Sequence, residues 1–186
     1  MMILRIVISL AVLALAGCVN IAKIPDEELG AKPATIELIP KDDTFLFFYR
    51  NGENCTNRMI PSKEAIEQAG GDSFPLPPNE KIAVVGFYNT LVGLTRLKYC
   101  RVVAVFTPEE EMDYTLSMKV QTDRCSAQLL SRKQKSYDSW LEVKDVDWRK
   151  FKTPMFSDGE FCEPTGVKPD YYLNQTGPLN IYVPRP

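Results

Sequence analysis

Polar and apolar residues alternate with a period of two over much of this chain, and that alternation predicts strands. Ile36 and Leu38 fall on one face of a first strand. Residues 44–50 (Thr-Phe-Leu-Phe-Phe-Tyr-Arg) are apolar on both faces, as expected of a buried strand, and Asn51-Gly52 ends it. Residues 81–88 are apolar almost throughout. In 99–106, Cys100, Val102, Ala104 and Phe106 share one side. Tyr114, Leu116, Met118 and Val120 alternate with Thr115, Ser117 and Lys119. In 124–131, Cys125, Ala127 and Leu129 oppose Ser126 and Gln128. About six to eight short strands with turn chemistry between them predict a mainly β domain, an antiparallel sandwich.

One short helix is expected over 62–69, with Ser62 as its N-cap and Gly70-Gly71 as its stop. Pro75-Leu76-Pro77-Pro78 reads as a connector, because proline cannot donate to a ladder. Beyond Ser136 the alternation weakens. Trp140, Trp148, Phe151, Phe156, Phe161, Tyr171, Tyr172 and Tyr182 are spread among prolines and glycines. Residues 136–186 are therefore expected as an irregular aromatic extension packed on the sandwich. Within it, Cys162 serves as a staple and 179–183 as a further edge strand.

The N-terminus changes this picture. Arg5 precedes an uncharged run, 6–17, that is about twelve residues long and closes on Leu15-Ala16-Gly17-Cys18. A membrane-spanning helix needs roughly 20 apolar residues, so the run is a signal segment and not a stable anchor. The four closing residues resemble the lipobox of bacterial lipoproteins. The resemblance covers only the first twenty residues or so. It implies cleavage before Cys18 and a lipid on that cysteine, with several acyl chains giving stable anchorage. Val19 follows, and no aspartate stands there as an inner-membrane retention signal, so the implied destination is the outer membrane, facing the periplasm. The expected organisation is a signal peptide over 1–17, a lipidated cysteine and polar tether over 18–33, and one domain over 34–186.

The chain has five cysteines, Cys18, Cys55, Cys100, Cys125 and Cys162. An odd count in an exported protein leaves one thiol over. Lipidation would remove Cys18 and leave four, an even set in an oxidising compartment. Close Cys-x-x-Cys spacing and histidine are both missing, so two disulfides are expected and no metal site. Cys100 and Cys125 point to the apolar sides of their strands. If those strands flank 113–120 in one sheet, they lie roughly 9.5 Å apart, beyond the reach of a disulfide. That arrangement pairs them with Cys55 and Cys162, the reading preferred here. A direct Cys100–Cys125 bridge needs the two strands in facing sheets.

Charge excludes more than it identifies. Twenty-two basic and 24 acidic residues give a net charge of −2, which argues against nucleic acid as a partner. Without histidine there is no Ser-His-Asp or Cys-His nucleophile system. No glycine-rich phosphate loop follows a strand, and no cofactor is indicated. Asn54-Cys55-Thr56 and Asn174-Gln175-Thr176 match glycosylation acceptors by chance composition.

The expectation is a non-enzymatic module of the cell envelope, anchored to the membrane through Cys18 and binding a protein or polymer. Its contact surface is placed in the aromatic region, on Trp140, Trp148, Tyr171 and Tyr172. Two alternatives stand beside it. One is an inhibitor of a host or secreted enzyme such as lysozyme. The other is a glycan-active enzyme using carboxylates among Asp145, Asp147, Asp158 and Glu160.

Overall fold

The alternating segments form two sheets packed face to face. The computed structural model describes residues 22–39, 44–92, 96–121, 124–152, 160–165, 168 and 170–172; Cys18 with the whole signal segment, Asp158 and 179–183 lie outside them. Along the chain, β1 (Ala22–Lys23) is followed by a helical turn (Asp26–Leu29), β2 (Ala34–Ile39), β3 (Thr44–Asn51) and β4 (Thr56–Ile60). A second helix (Lys63–Gln68) leads to β5 (Phe74–Leu76), β6 (Ile82–Val92), β7 (Arg96–Phe106), β8 (Met112–Val120) and β9 (Arg124–Lys133). The last described strands are β10 (Leu141–Glu142), β11 (Asp147–Phe151), β12 (Cys162–Pro164) and β13 (Asp170–Tyr172).

One sheet has the order β1-β4-β3-β6-β7-β11-β12, and the other β10-β9-β8-β2-β5 with β13 also paired to β9. Antiparallel pairing prevails, as the sequence predicts, but β1 runs parallel to β4 and β2 parallel to β8. The second of these is possible because a long connection intervenes, in which β3, β4, β6 and β7 belong to the other sheet and β5 to the same one.

The inner faces bury Phe48, Ile82, Val84, Val102 and Ala104 against Ile36, Leu116, Ala127 and Leu129. Each of the phenylalanine, isoleucine, valine and leucine side chains contributes about 1.5–3 kcal/mol of transfer free energy. At Gly86 the facing sheet leaves no room for a side chain. A Cβ there would lie 2.8 Å from both Leu116 Cδ2 and Met118 Sδ.

A second, smaller core lies on the opposite face of the seven-stranded sheet. It is made of Tyr49, Ala83, Val85, Val103 and Val105, with Cys55 and Cys162 above them and Phe47, Phe151 and Phe161 at its margin. This explains why 81–88 lacks alternation: Ile82 and Val84 enter one core, and Ala83 and Val85 the other.

Five expectations are corrected. The stretch 136–186, expected as an irregular extension, supplies β10 to β13, which pair into both sheets because β7 and β9 offer them open edges. The segment expected as a tether is folded from Ala22 onward. Ile24 and Leu29 are buried at 2% and 5% exposure, and Arg50 on β3 pairs with Glu28. Its polar composition masked two apolar anchors, Ile24 before the helical turn and Leu29 at its end. The helical turn Asp26–Leu29 in this segment also makes two short helices among the described residues instead of one. The proline connector is in part β5, whose Phe74, Pro75 and Leu76 pair with Ile36, Thr35 and Ala34. Pro75 is tolerated because β5 closes the edge of its sheet.

The preferred cysteine pairing is also overturned, since the bridges are Cys55–Cys162 and Cys100–Cys125, with Cα atoms 5.4 and 6.2 Å apart. The reason is sheet membership: β7 lies in the facing sheet, not beside β8, so Cys100 reaches Cys125 straight across the core.

Candidate functional site

The outer face of the six-stranded sheet carries the polar half of the alternation. Register places Thr35 beside Asp113 and Glu37 beside Thr115 on the parallel pair β2–β8. Antiparallel pairing then sets Arg132 of β9 against Asp113 on the other side. These neighbours are bonded to one another. Thr35 Oγ1 donates to Asp113 Oδ1 at 2.7 Å, and Thr115 Oγ1 donates to Glu37 Oε1 at 3.0 Å. Arg132 Nε lies 3.5 Å from Asp113 Oδ2, and its guanidinium carbon sits 4.4 Å from the centre of the Trp140 ring.

Two walls turn this row into a trough of about 330 Å³. One is the end of the second helix and the turn after it, through Gln68, Ala69 and Ser73. The helix begins where Ser62 Oγ accepts the Ala65 N–H at 3.0 Å. It stops at Gly70 and Gly71, both at positive φ (98° and 80°), where glycine has no Cβ penalty. The other wall is the turn after β9, with Gln134, Lys135 and Trp140. Gln134 fixes that turn: its Nε2 donates to the Pro33 carbonyl at 3.0 Å, and its N–H donates to the Glu111 carbonyl at 2.8 Å. The lining carries two acids, Glu37 and Asp113, and two bases, Arg132 and Lys135, so its charges balance.

A second cavity, of about 420 Å³, opens beside Phe106, Tyr114, Val143 and Asp145. Tyr114 faces inward, its ring 4.9 Å from that of Phe106. Its hydroxyl oxygen accepts the Glu109 N–H at 3.0 Å, and burial pushes its pKa up. The outer face of the seven-stranded sheet is aromatic instead. The Arg101 guanidinium lies 4.7 to 5.5 Å from the ring centres of Phe151, Phe87 and Tyr99. Arg58 covers Phe47 at 4.1 Å, and Tyr49 stacks on Phe161 at 5.4 Å.

The residues expected from sequence scatter over these places. Trp140 stands at the trough wall. Trp148 packs against the main core, and the Thr165 hydroxyl donates to its carbonyl at 2.8 Å. Tyr171 and Tyr172 lie in β13 opposite Cys125 and Arg124, and their side chains are outside the described set.

The expected carboxylates do not converge. Asp147 accepts two bonds from Arg149, at 2.7 and 2.9 Å. Glu160 accepts from Lys152 at 2.9 Å, which holds its carboxyl below the usual range. Asp145 lines the second cavity.

Sequence reasoning missed Thr35, Glu37, Asp113 and Arg132. Alternation marks Glu37 and Thr115 as outward-facing, but nothing local joins residues 78 positions apart. No protein-family model matches the chain, and no curated protein or solved structure matches it.

Proposed function

We propose that this chain is a lipid-anchored, non-enzymatic module of the cell envelope. It would be held through Cys18 at the periplasmic face of the outer membrane and bind an envelope partner in the trough beside Trp140. The observation that supports the anchor is the pairing of the other four cysteines with one another, through Cys55–Cys162 and Cys100–Cys125. Both bridges suit an oxidising compartment, and Cys18 is then the one cysteine left over in a chain of five. A mixed set of donors and acceptors in a depression walled by an aromatic side chain supports the binding role.

The test is the intact mass of detergent-extracted protein, taken under non-reducing conditions with a thiol-alkylating reagent. The expected mass carries lipid on Cys18 and no alkyl group. An unlipidated chain, or alkylation at any of the other four cysteines, contradicts the reading.

A further inference from the structure

We infer that the trough takes a neutral, hydroxyl-rich saccharide chain; this rests on the binding-module reading above and names its ligand. Three features of the site lead there.

The first is the backbone of the floor. Thr35 is paired on one side with Pro75 and on the other with Asp113, and Asp113 with Thr35 and Arg132. At Thr35 and Asp113 no strand edge is open, so a peptide cannot add itself there as a further strand, the usual way a sheet captures one. At those two positions a ligand is read by side chains alone.

The second is the kind of side chain presented. Carboxylate oxygens accept from hydroxyl groups, guanidinium and amide N–H groups donate to them, and the Thr35 and Ser73 hydroxyls do both. Asp113 and Glu37 already hold Thr35 and Thr115 through one oxygen each, which orients the carboxylates and leaves them further acceptor capacity. With two acids against two bases, the lining has no net field to favour a polyanion or a polycation. A polyol satisfies such a mixed array and brings no charge to desolvate.

The third is Trp140. Arg132 covers one face of its ring and fixes the indole at the wall. An indole in that position offers the flat apolar surface against which the C–H face of a pyranose stacks. The volume, about 330 Å³, lies at the lower end for ligand sites, so the trough grips a short stretch of a longer chain.

The experiment is a calorimetric titration of the full lipidated chain, in a detergent without a sugar headgroup, with a hexasaccharide of β-1,4-linked N-acetylglucosamine. Polyglutamate, polylysine and a neutral acetylated peptide serve as comparators. Saturable binding of the hexasaccharide alone is expected. Trp140→Ala should abolish it, and Glu37→Gln and Asp113→Asn should each weaken it about tenfold, the loss of a well-placed bond to a charged acceptor. Circular dichroism of each variant establishes that it is folded. If Asp113→Asn disturbs the sheet, Glu37→Gln, which leaves the Asp113–Arg132 ion pair intact, still decides the matter.

Absence of saccharide binding overturns the inference, as does binding that none of the three variants changes, or preference for a comparator. If the saccharide fails while a photoreactive residue placed at position 135 crosslinks to an envelope protein, the ligand assignment falls and the binding-module reading stands. A mass without lipid on Cys18 overturns the anchored reading and leaves the titration valid.

Discussion

The two outer faces of this sandwich are put to opposite uses. On the seven-stranded sheet the outward Val85, Val103 and Val105 pack with Tyr49 under the Cys55–Cys162 bridge. On the six-stranded sheet the outward positions are polar: Asp113 holds Thr35 and Arg132, and Glu37 holds Thr115, around a trough. The first face acquires a lid from distant chain, at a separation of 107 residues, and becomes a second core. The second is left to solvent or a ligand. The difference shows how one fold separates stability from recognition: apolar residues on an outer face require a cover, and polar residues that satisfy one another do not.

If this division holds, substitutions on the two faces have different costs. The largest effect is expected from Cys55→Ser combined with Cys162→Ser. Releasing a 107-residue loop costs about 5 kcal/mol in the chain-entropy account. Urea denaturation measures that loss, and saccharide affinity of the protein still folded should be unchanged. Next comes Val103→Ala, which leaves a cavity in the second core; about 2 kcal/mol is expected from the same denaturation experiment. A loss near zero would mean that this face is not packed as described.

The dryness of that face also has a pH signature. Burial raises the Tyr49 pKa, against the lowering influence of Arg58 and Arg101. Because the folded value exceeds the unfolded one near 10, its contribution is fully present below pH 10 and is lost as pH rises through the folded value. Tyr49→Phe should therefore flatten the alkaline decline in stability, and an unchanged pH profile would contradict it. The smallest stability effect belongs to the other face: Glu37→Gln should change stability by no more than about 0.5 kcal/mol while weakening ligand binding.

Much of the fold could be read from the residues, since Ile36, Leu116, Ala127 and Leu129 each occupy the inward position that alternation assigns them. The helix was equally legible, because Ser62 and Gly70-Gly71 act locally as cap and stop. What failed depended on distant chain. Nothing near Cys100 tells which sheet its strand joins, and the cysteine pairing turned on that fact. Of the two expected tryptophans, Trp140 reached the trough and Trp148 packed against the core. The acids flanking the two tryptophans drew attention because they are close in sequence. The acids that share the trough, Glu37 and Asp113, are brought together by a parallel strand pair that no local pattern marks.

The most direct test of this division is amide and indole chemical-shift mapping of the full chain, in detergent without sugar headgroups, as the N-acetylglucosamine hexasaccharide is added. The account predicts shifts at Thr35, Glu37, Asp113, Thr115, Arg132 and the Trp140 indole, with Phe87, Tyr99, Arg101 and Phe151 unmoved. Shifts centred on those four residues of the seven-stranded sheet, or none at either face, would contradict it.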